Sequence, residues 1–177
     1  MTFPKAVLIG PPGSGKSTVG PLLAQRLGVE FHDADTDIEA AAGKPIPEIF
    51  TSEGEPAFRE LEAKVVAEGL ANHRGVYALG GGAVLDEGTR ELLAGRTVVF
   101  LSVSMATGVQ RTGMSGARPV LAGVNPRATY KALLDARLPL YRSVATVEVA
   151  TDERNPDEVT ETVVRALGDH ERVEEGA

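Results

Sequence analysis

The sequence predicts an α/β fold, a five-stranded parallel sheet flanked by helices, and three observations carry that prediction. Short apolar runs alternate with longer amphipathic stretches along the chain. Several of those runs are apolar at consecutive positions, as strands buried on both faces are. The first run leads straight into a glycine-rich turn and a helix, Gly10-Pro11-Pro12-Gly13-Ser14-Gly15-Lys16-Ser17, an order that belongs to phosphate-binding α/β proteins.

The strands are expected over residues 6–9, 31–32, 76–79, 97–101 and 146–149. Helix starts are marked by Thr36 with Glu39 three residues on, by Asn125-Pro126, and by Asn155-Pro156 with Glu158 following. Over residues 56–72, Phe58, Leu61, Val65 and Leu70 lie close to one helical face, while Arg59, Glu62 and Glu68 fall off it. Pro139 is expected to kink or end the helix that begins near Pro126. Residues 112–124 hold Gly113, Gly116 and Gly123 with Arg118 as the single charge, the composition of a lid or binding loop. The acid-rich tail, residues 168–177, reads as a frayed and disordered terminus.

At 177 residues the chain is one domain by the usual size prior. It has no cysteine, which removes thiol nucleophiles, disulfides and Cys-zinc sites. Its 18 basic against 25 acidic residues leave a net charge of −7, a poor composition for gripping bare nucleic acid. Aromatics at 5% and the absence of Trp argue against stacking platforms for single strands. No apolar run is long enough for a membrane helix. The expectation is a cytoplasmic monomer with small-molecule substrates, and neither nucleic acid nor membrane as partner.

The turn after the first strand is a complete G-x-x-x-x-G-K-S between a strand and a helix. Its glycines let successive N–H groups converge on phosphate oxygens, and the following helix adds the positive end of its dipole. Lys16 then bridges the β- and γ-phosphates, and Ser17 offers its hydroxyl to Mg²⁺. ATP or GTP binding follows, over Gly13, Ser14, Gly15, Lys16, Ser17 and Thr18.

No aspartate ends a second apolar strand: Leu79 is followed by Gly80-Gly81-Gly82 and Leu101 by Ser102. The acids at a strand end are Asp33 and Asp35. Two residues apart on an extended segment they point to opposite sides unless the chain turns, so two separate jobs are open to them. Capping of the next helix is the simpler use, and Thr36 is expected to fill it. In an acidic chain Arg59, Arg118 and Arg137 stand out as candidates for an anionic ligand, with Arg118 as a lid arginine over the phosphates.

The P-loop, Asp33-x-Asp35, Phe58-Arg59-x-x-Glu62, Gly80-Gly81-Gly82, Arg118-Pro119 and Arg137-x-Pro139-x-Tyr141 resemble, in that order, the shikimate kinases, closely those of actinobacterial type. The likeness runs from Lys5 to about Leu167. It implies a nucleoside-monophosphate-kinase-like fold and ATP-dependent phosphorylation of the 3-hydroxyl of shikimate, a step of aromatic amino-acid synthesis, with one Mg²⁺ per subunit. It further implies that Asp35 bonds the shikimate hydroxyls, either as a base or only to orient the hydroxyl that reacts. Asp33 acts on Mg²⁺ through water, and the shikimate-binding region covers about residues 33–62. Arg59 and Arg137 clamp the shikimate carboxylate, Glu62 orients Arg59, and Gly81 supplies backbone contact. Arg118 serves the phosphates, and Arg111 and Arg154 flank the adenine. Asn155 reads equally as a plain helix cap. Adenylate or gluconate kinases share the P-loop and lid, but adenylate kinase should show an Asp-Gly-Phe-Pro-Arg segment where Gly80-Gly81-Gly82 stands. A module that only binds ATP would not need Lys16, Asp35 and Arg118 together.

Overall fold

The computed structural model describes residues 3–112 and 125–177. Its strands β1 (Ala6–Ile9), β2 (Phe31–Asp33), β3 (Val76–Ala78), β4 (Val98–Ser102) and β5 (Val147–Ala150) form one sheet in the order β2-β3-β1-β4-β5, every neighbouring pair parallel. Each strand lies within one residue of its expected ends.

Side chains alternate between two apolar layers, which is why the strands read as continuous apolar runs. Ala6, Leu8, Val76, Ala78, Val99 and Leu101 face Val19 and Leu23 of α1 (Lys16–Leu27) and Val159 and Val163 of α8 (Pro156–Gly176). Val7, Ile9, Tyr77, Leu79, Val98 and Phe100 face the other way. They meet Val66 and Leu70 of α4 (Glu55–Asn72), Leu93 of α5 (Glu87–Leu93) and Tyr141 of α7 (Pro126–Val144). Leu8, Leu23 and Leu101 are wholly buried, and each such side chain contributes about 1.5–3 kcal/mol. A third cluster, Ile38 of α2 (Ala34–Ala42), Ile49 of α3 (Ile46–Glu53), and Phe58 and Val65 of α4, fastens together the helices that follow β2.

This layering decides where a ligand can sit. The chain leaves β1 through α1, in the first layer, and leaves β3 through a single 3₁₀ turn (Ala83–Leu85) and α5, in the second. Adjacent parallel strands whose connections depart to opposite faces open a crevice at their carboxyl ends. The P-loop and the Gly80–Gly82 turn are the two lips of that crevice.

Four local expectations are corrected. Helix α2 starts at Ala34 rather than after Thr36, because Asp33, extended at φ −117, caps it by accepting the Asp35 N–H at 2.8 Å. Glu62 does not fall off the packed face of α4: it is buried at 3% exposure, its charge met by Arg59. Of the two outcomes expected at Pro139, a kink or an end, the end does not occur, since helix α7 runs through it to Val144. The proline costs it one backbone donor, and burial of Tyr130, Arg137 and Tyr141 on either side holds it across the gap. The tail expected to fray is helical to Gly176. It is tied by Arg172–Asp169 and His170–Glu174 pairs within the helix and by Lys5–Glu171 to the start of β1.

Candidate active site

The P-loop's shape comes from glycines in conformations that side chains avoid, with φ of 154° at Gly10, 81° at Gly13 and 99° at Gly15. At Gly10 the space is also closed, since a Cβ would meet Leu101 O at 2.5 Å. Gly15 is the N-cap of α1 and brings no side-chain cap, so the first turn turns its N–H groups toward the loop's concavity. Lys16 Nζ donates to Gly10 O at 2.6 Å and Pro11 O at 3.1 Å, which holds an ammonium at the loop's centre. Ser14 is buried, and Ser17 and Thr18 are exposed on the first turn of α1. Tyr130 of α7 braces the loop from outside by donating its hydroxyl to Pro12 O at 2.9 Å. Burial pushes the Tyr130 phenol well above its ordinary range, so it keeps that proton at any physiological pH.

On the opposite lip, the glycine turn is packed on both sides. A Cβ on Gly81 would press Pro12 Cδ at 3.0 Å, and one on Gly82 would lie 2.5 Å from Arg59 Cζ. One on Gly80 would meet Glu62 Oε2 at 2.9 Å and Asp35 Oδ1 at 3.1 Å. Asp35, Arg59 and Glu62 therefore converge on one turn, from α2 and α4. Arg59 Nη1 donates to Glu62 Oε1 at 2.7 Å, and its guanidinium lies over the Phe58 ring. Its Nε is buried without a hydrogen-bond partner among the described residues, the exposed Glu55 carboxylate standing 3.5 Å away.

Arg137 reaches the same place from α7 and is only 7% exposed. Burial pushes its guanidinium below the ordinary value, and the charge of Arg59 adds to that push. Tyr141, by charge and by hydrogen bond, and Glu62 pull it back. The Tyr141 hydroxyl in turn donates to Gly81 O, so a relay runs from Arg137 through Tyr141 to the glycine turn. Two guanidinium groups are thus gathered about the buried Glu62 carboxylate, with Asp35 across Gly80 and Glu55 beside Arg59. Burying a charge costs several kcal/mol unless it is matched, so stability alone is a poor reason for this arrangement.

The other side of the P-loop carries a groove of about 260 Å³ lined by Ser14, Gly15, Thr18, Arg111, Thr151 and Arg154, among others. Arg111, on α6 (Met105–Thr112), donates to Gly13 O at 3.0 Å and, through its two terminal nitrogens, to Thr151 Oγ1 and Thr151 O at 3.1 Å each. The far end of α6 is held too: Ser104 Oγ donates to Asp152 Oδ1 at 2.7 Å. Asn155 caps α8 by accepting the Glu158 N–H at 2.8 Å.

Known proteins match this chain along nearly all of its length. The family model described as shikimate kinase matches residues 12–168. The shikimate kinase of Saccharopolyspora erythraea is 64% identical over 164 residues, 93% of this chain and 94% of that protein. That of Streptomyces coelicolor is 55% identical over 167 residues, covering 94% and 97%. The structure of shikimate kinase from Acinetobacter baumannii in complex with shikimate overlays with a TM-score of 0.91 at 38% identity, covering 95% of this chain and 94% of that one. The chain belongs to the shikimate kinase family. It is therefore a kinase, with that family's five-stranded P-loop fold.

In this shikimate kinase fold the residues singled out in the sequence fall into three groups. Gly13 to Thr18 form the P-loop and first helical turn, and Arg111 and Arg154 line the groove beside it. Asp35, Arg59 and Arg137 surround the glycine turn that holds Gly81, with Asp33 behind them as the cap of α2. Arg118 and the rest of the expected lid after Thr112 lie outside the described residues. Sequence reasoning missed the bracing role of Tyr130 and the groove's Thr151. Tyr130 had a readable signal, since Tyr130, Arg137 and Tyr141 recur at the spacing of one face of a helix and are the buried residues of α7. Thr151 had none, being a lone threonine after a strand.

Proposed function

We propose that this chain transfers the γ-phosphoryl group of ATP to the 3-hydroxyl of shikimate, in the synthesis of aromatic amino acids. The observation that carries the reading is the position of the glycine turn, packed on one side against Pro12 of the P-loop and on the other against Arg59 of the Arg59–Glu62–Arg137 cluster. A phosphoryl donor and a carboxylate-bearing acceptor would thus be neighbours across one turn. Family membership and the relative solved with shikimate support the same substrate.

Each residue then has a task. Lys16 and the N–H groups of Gly13 to Thr18 hold the phosphates, and Arg111 and Arg154 flank the base. Arg59 and Arg137 take the shikimate carboxylate, for which a planar guanidinium offers two parallel donors, and Gly81 gives backbone contact. The Nε of Arg59, which makes no hydrogen bond among the described residues and has the exposed Glu55 carboxylate 3.5 Å away, is one donor available to an anion. The new bond joins the 3-oxygen to the γ-phosphorus as the bond to the ADP oxygen breaks. Such transfer is loose, so the hydroxyl proton leaves late and Asp35 acts chiefly by orienting the hydroxyl before taking it. Arg118, from the lid, stabilises charge on the equatorial oxygens and helps exclude water that would hydrolyse ATP.

The donor set suits Mg²⁺, a hard cation that keeps several waters and needs few protein ligands beside phosphate. The Ser17 hydroxyl is exposed on α1, and Asp33 is a carboxylate at the end of β2. No cluster of three or more acidic or histidine side chains that would suit a more demanding metal exists among the described residues. Ser17 would bind the ion directly and Asp33 through water. When bound, Mg²⁺ neutralises charge on the transferring phosphates. The reading also takes the chain to be a monomeric cytoplasmic enzyme, in keeping with substrates that are small soluble molecules.

ADP release, measured by a coupled assay with a panel of hydroxy acids, tests this. Shikimate should support turnover while gluconate and AMP stay at background. Turnover with gluconate equal to that with shikimate, or none with shikimate, would refute it.

A further inference from the structure

A cluster of polar side chains lies behind the acceptor pocket, outside every role given so far. Asp37 of α2 points its carboxylate at two donors. His73 Nε2 lies 2.8 Å from Asp37 Oδ2, and the Tyr77 hydroxyl donates to the same oxygen at 3.4 Å. Tyr77 is wholly buried on β3, and His73 is the C-cap of α4. The His73 ring also stacks on His32 of β2, with centroids 3.9 Å apart and planes 14° from parallel. The Tyr77 hydroxyl cannot drift, because it sits over Gly69 of α4 in space that a Cβ would fill.

We propose that Asp37 is a positioning residue for Asp35, stapling the first turn of α2 to the two elements that build the rest of the acceptor pocket. Residues two apart on a helix point about 200° apart. Asp35 faces Gly80 and Glu62, while Asp37 faces Tyr77 and His73. Tyr77 is on the strand that runs into Gly80-Gly81-Gly82, and His73 ends the helix that carries Arg59 and Glu62. The staple therefore sets Asp35 relative to the glycine turn and the arginine cluster together. α2 spans nine residues, too few to hold a pose without tertiary contacts. Its other anchors, the Asp33 cap and the buried Ala34 and Ile38, fix its start and its packing. Asp37 adds the link, through polar side chains, to β3 and α4.

The inference rests on the reading of Asp35 as the group that orients the reacting hydroxyl, and the experiment separates the two. Asp37→Asn, Asp37→Glu, Tyr77→Phe, Asp35→Asn and the double variant Asp35→Asn/Asp37→Asn are compared in full-length protein. The measurements are kcat, KM for shikimate, KM for ATP and melting temperature. Asp37→Asn should lower kcat/KM for shikimate about fivefold to thirtyfold, the effect of losing one or two kcal/mol of positioning. KM for ATP should stay within about twofold, and Asp37→Glu should recover part of the loss. Tyr77→Phe, which keeps the packing and removes one donor, should show the same pattern more weakly and serves if Asp37→Asn does not fold. In the Asp35→Asn background the Asp37 change should have no further effect, because it acts through Asp35. If Asp35→Asn lowers turnover while Asp37→Asn and Tyr77→Phe alter only the melting temperature, the staple is structural and the proposal is wrong. An additive double variant overturns it equally. If Asp35→Asn itself turns over normally, the reading of Asp35 fails and the proposal falls with it.

Discussion

Gly82→Ala adds one carbon, and the structure says where that carbon goes. Gly82 has φ −99 and ψ 3, a conformation any residue adopts, so the substitution brings no backbone strain. Its Cβ would lie 2.5 Å from both Cζ and Nη2 of Arg59. The obstructed atoms are the end of a flexible side chain, so the guanidinium moves and the fold survives. The move takes Arg59 away from Glu62, 2.7 Å distant, and from the substrate carboxylate that it is proposed to hold. A hydrogen bond to a charged group contributes about 1.5–3 kcal/mol, so shikimate affinity should fall roughly tenfold to a hundredfold. Leaving Glu62 short of a partner should lower stability by about 1–3 kcal/mol. ATP affinity should hold, because the new carbon does not face the P-loop. Gly81→Ala is the internal contrast: its Cβ would press Pro12 at 3.0 Å, so its effect should appear in KM for ATP. Titration calorimetry with each substrate, beside steady-state KM, reads both. A folded Gly82→Ala protein that binds shikimate within twofold of wild type, or loses ATP affinity as much as shikimate affinity, would refute the geometry.

Lys16→Ala should fold and lose about a thousandfold or more of kcat, several kcal/mol of stabilisation at the transferring phosphoryl group, in a coupled assay. Arg118→Ala should lower kcat far more than it weakens shikimate binding, since the charge it meets develops in the transition state; equal losses in kcat and affinity would speak against that role. The Asp152 carboxylate is held below its ordinary value, hydrogen bonds from Ser104 and Thr107 outweighing the opposing effect of burial. A depressed folded-state value means that its contribution is present above the unfolded value, about 3.9, and is lost as pH falls through the folded one. Urea midpoints of wild type and Asp152→Asn should therefore differ most at neutral pH and converge below about pH 4.

The strands and the P-loop were legible because each rests on a local rule: apolar runs at consecutive positions, and eight residues with glycine where the backbone must turn. Arg59 and Arg137 were legible as candidates by their chemistry, arginines in a chain of net charge −7. What local rules do not reach is burial. Glu62 reads as a solvent-facing charge on an amphipathic helix until the opposing turn brings Gly80 onto it. Asp33 and Thr36 both carry capping side chains, and where the strand ends selects between them. Pro139 leaves a kink and an end equally open because the sequence does not display the buried Tyr130, Arg137 and Tyr141 that hold α7 on both sides of it. Asp37 is 36 residues from His73 and 40 from Tyr77, and it meets them only because β2 lies beside β3.

On the proposed reading, Arg59 and Arg137 form one clamp for the carboxylate of the acceptor, set across the glycine turn from the phosphate loop. Calorimetric titration of shikimate into wild type, Arg59→Ala, Arg137→Ala and the two Lys variants tests it most directly, with ATP titrated in parallel. Either Ala variant should bind shikimate roughly tenfold to a hundredfold more weakly and either Lys variant should lose part of that affinity, with ATP affinity almost unchanged. An uncharged shikimate analogue should bind wild type and variants alike. Normal shikimate binding by both Ala variants, or a loss of ATP affinity as large as the loss for shikimate, would contradict it.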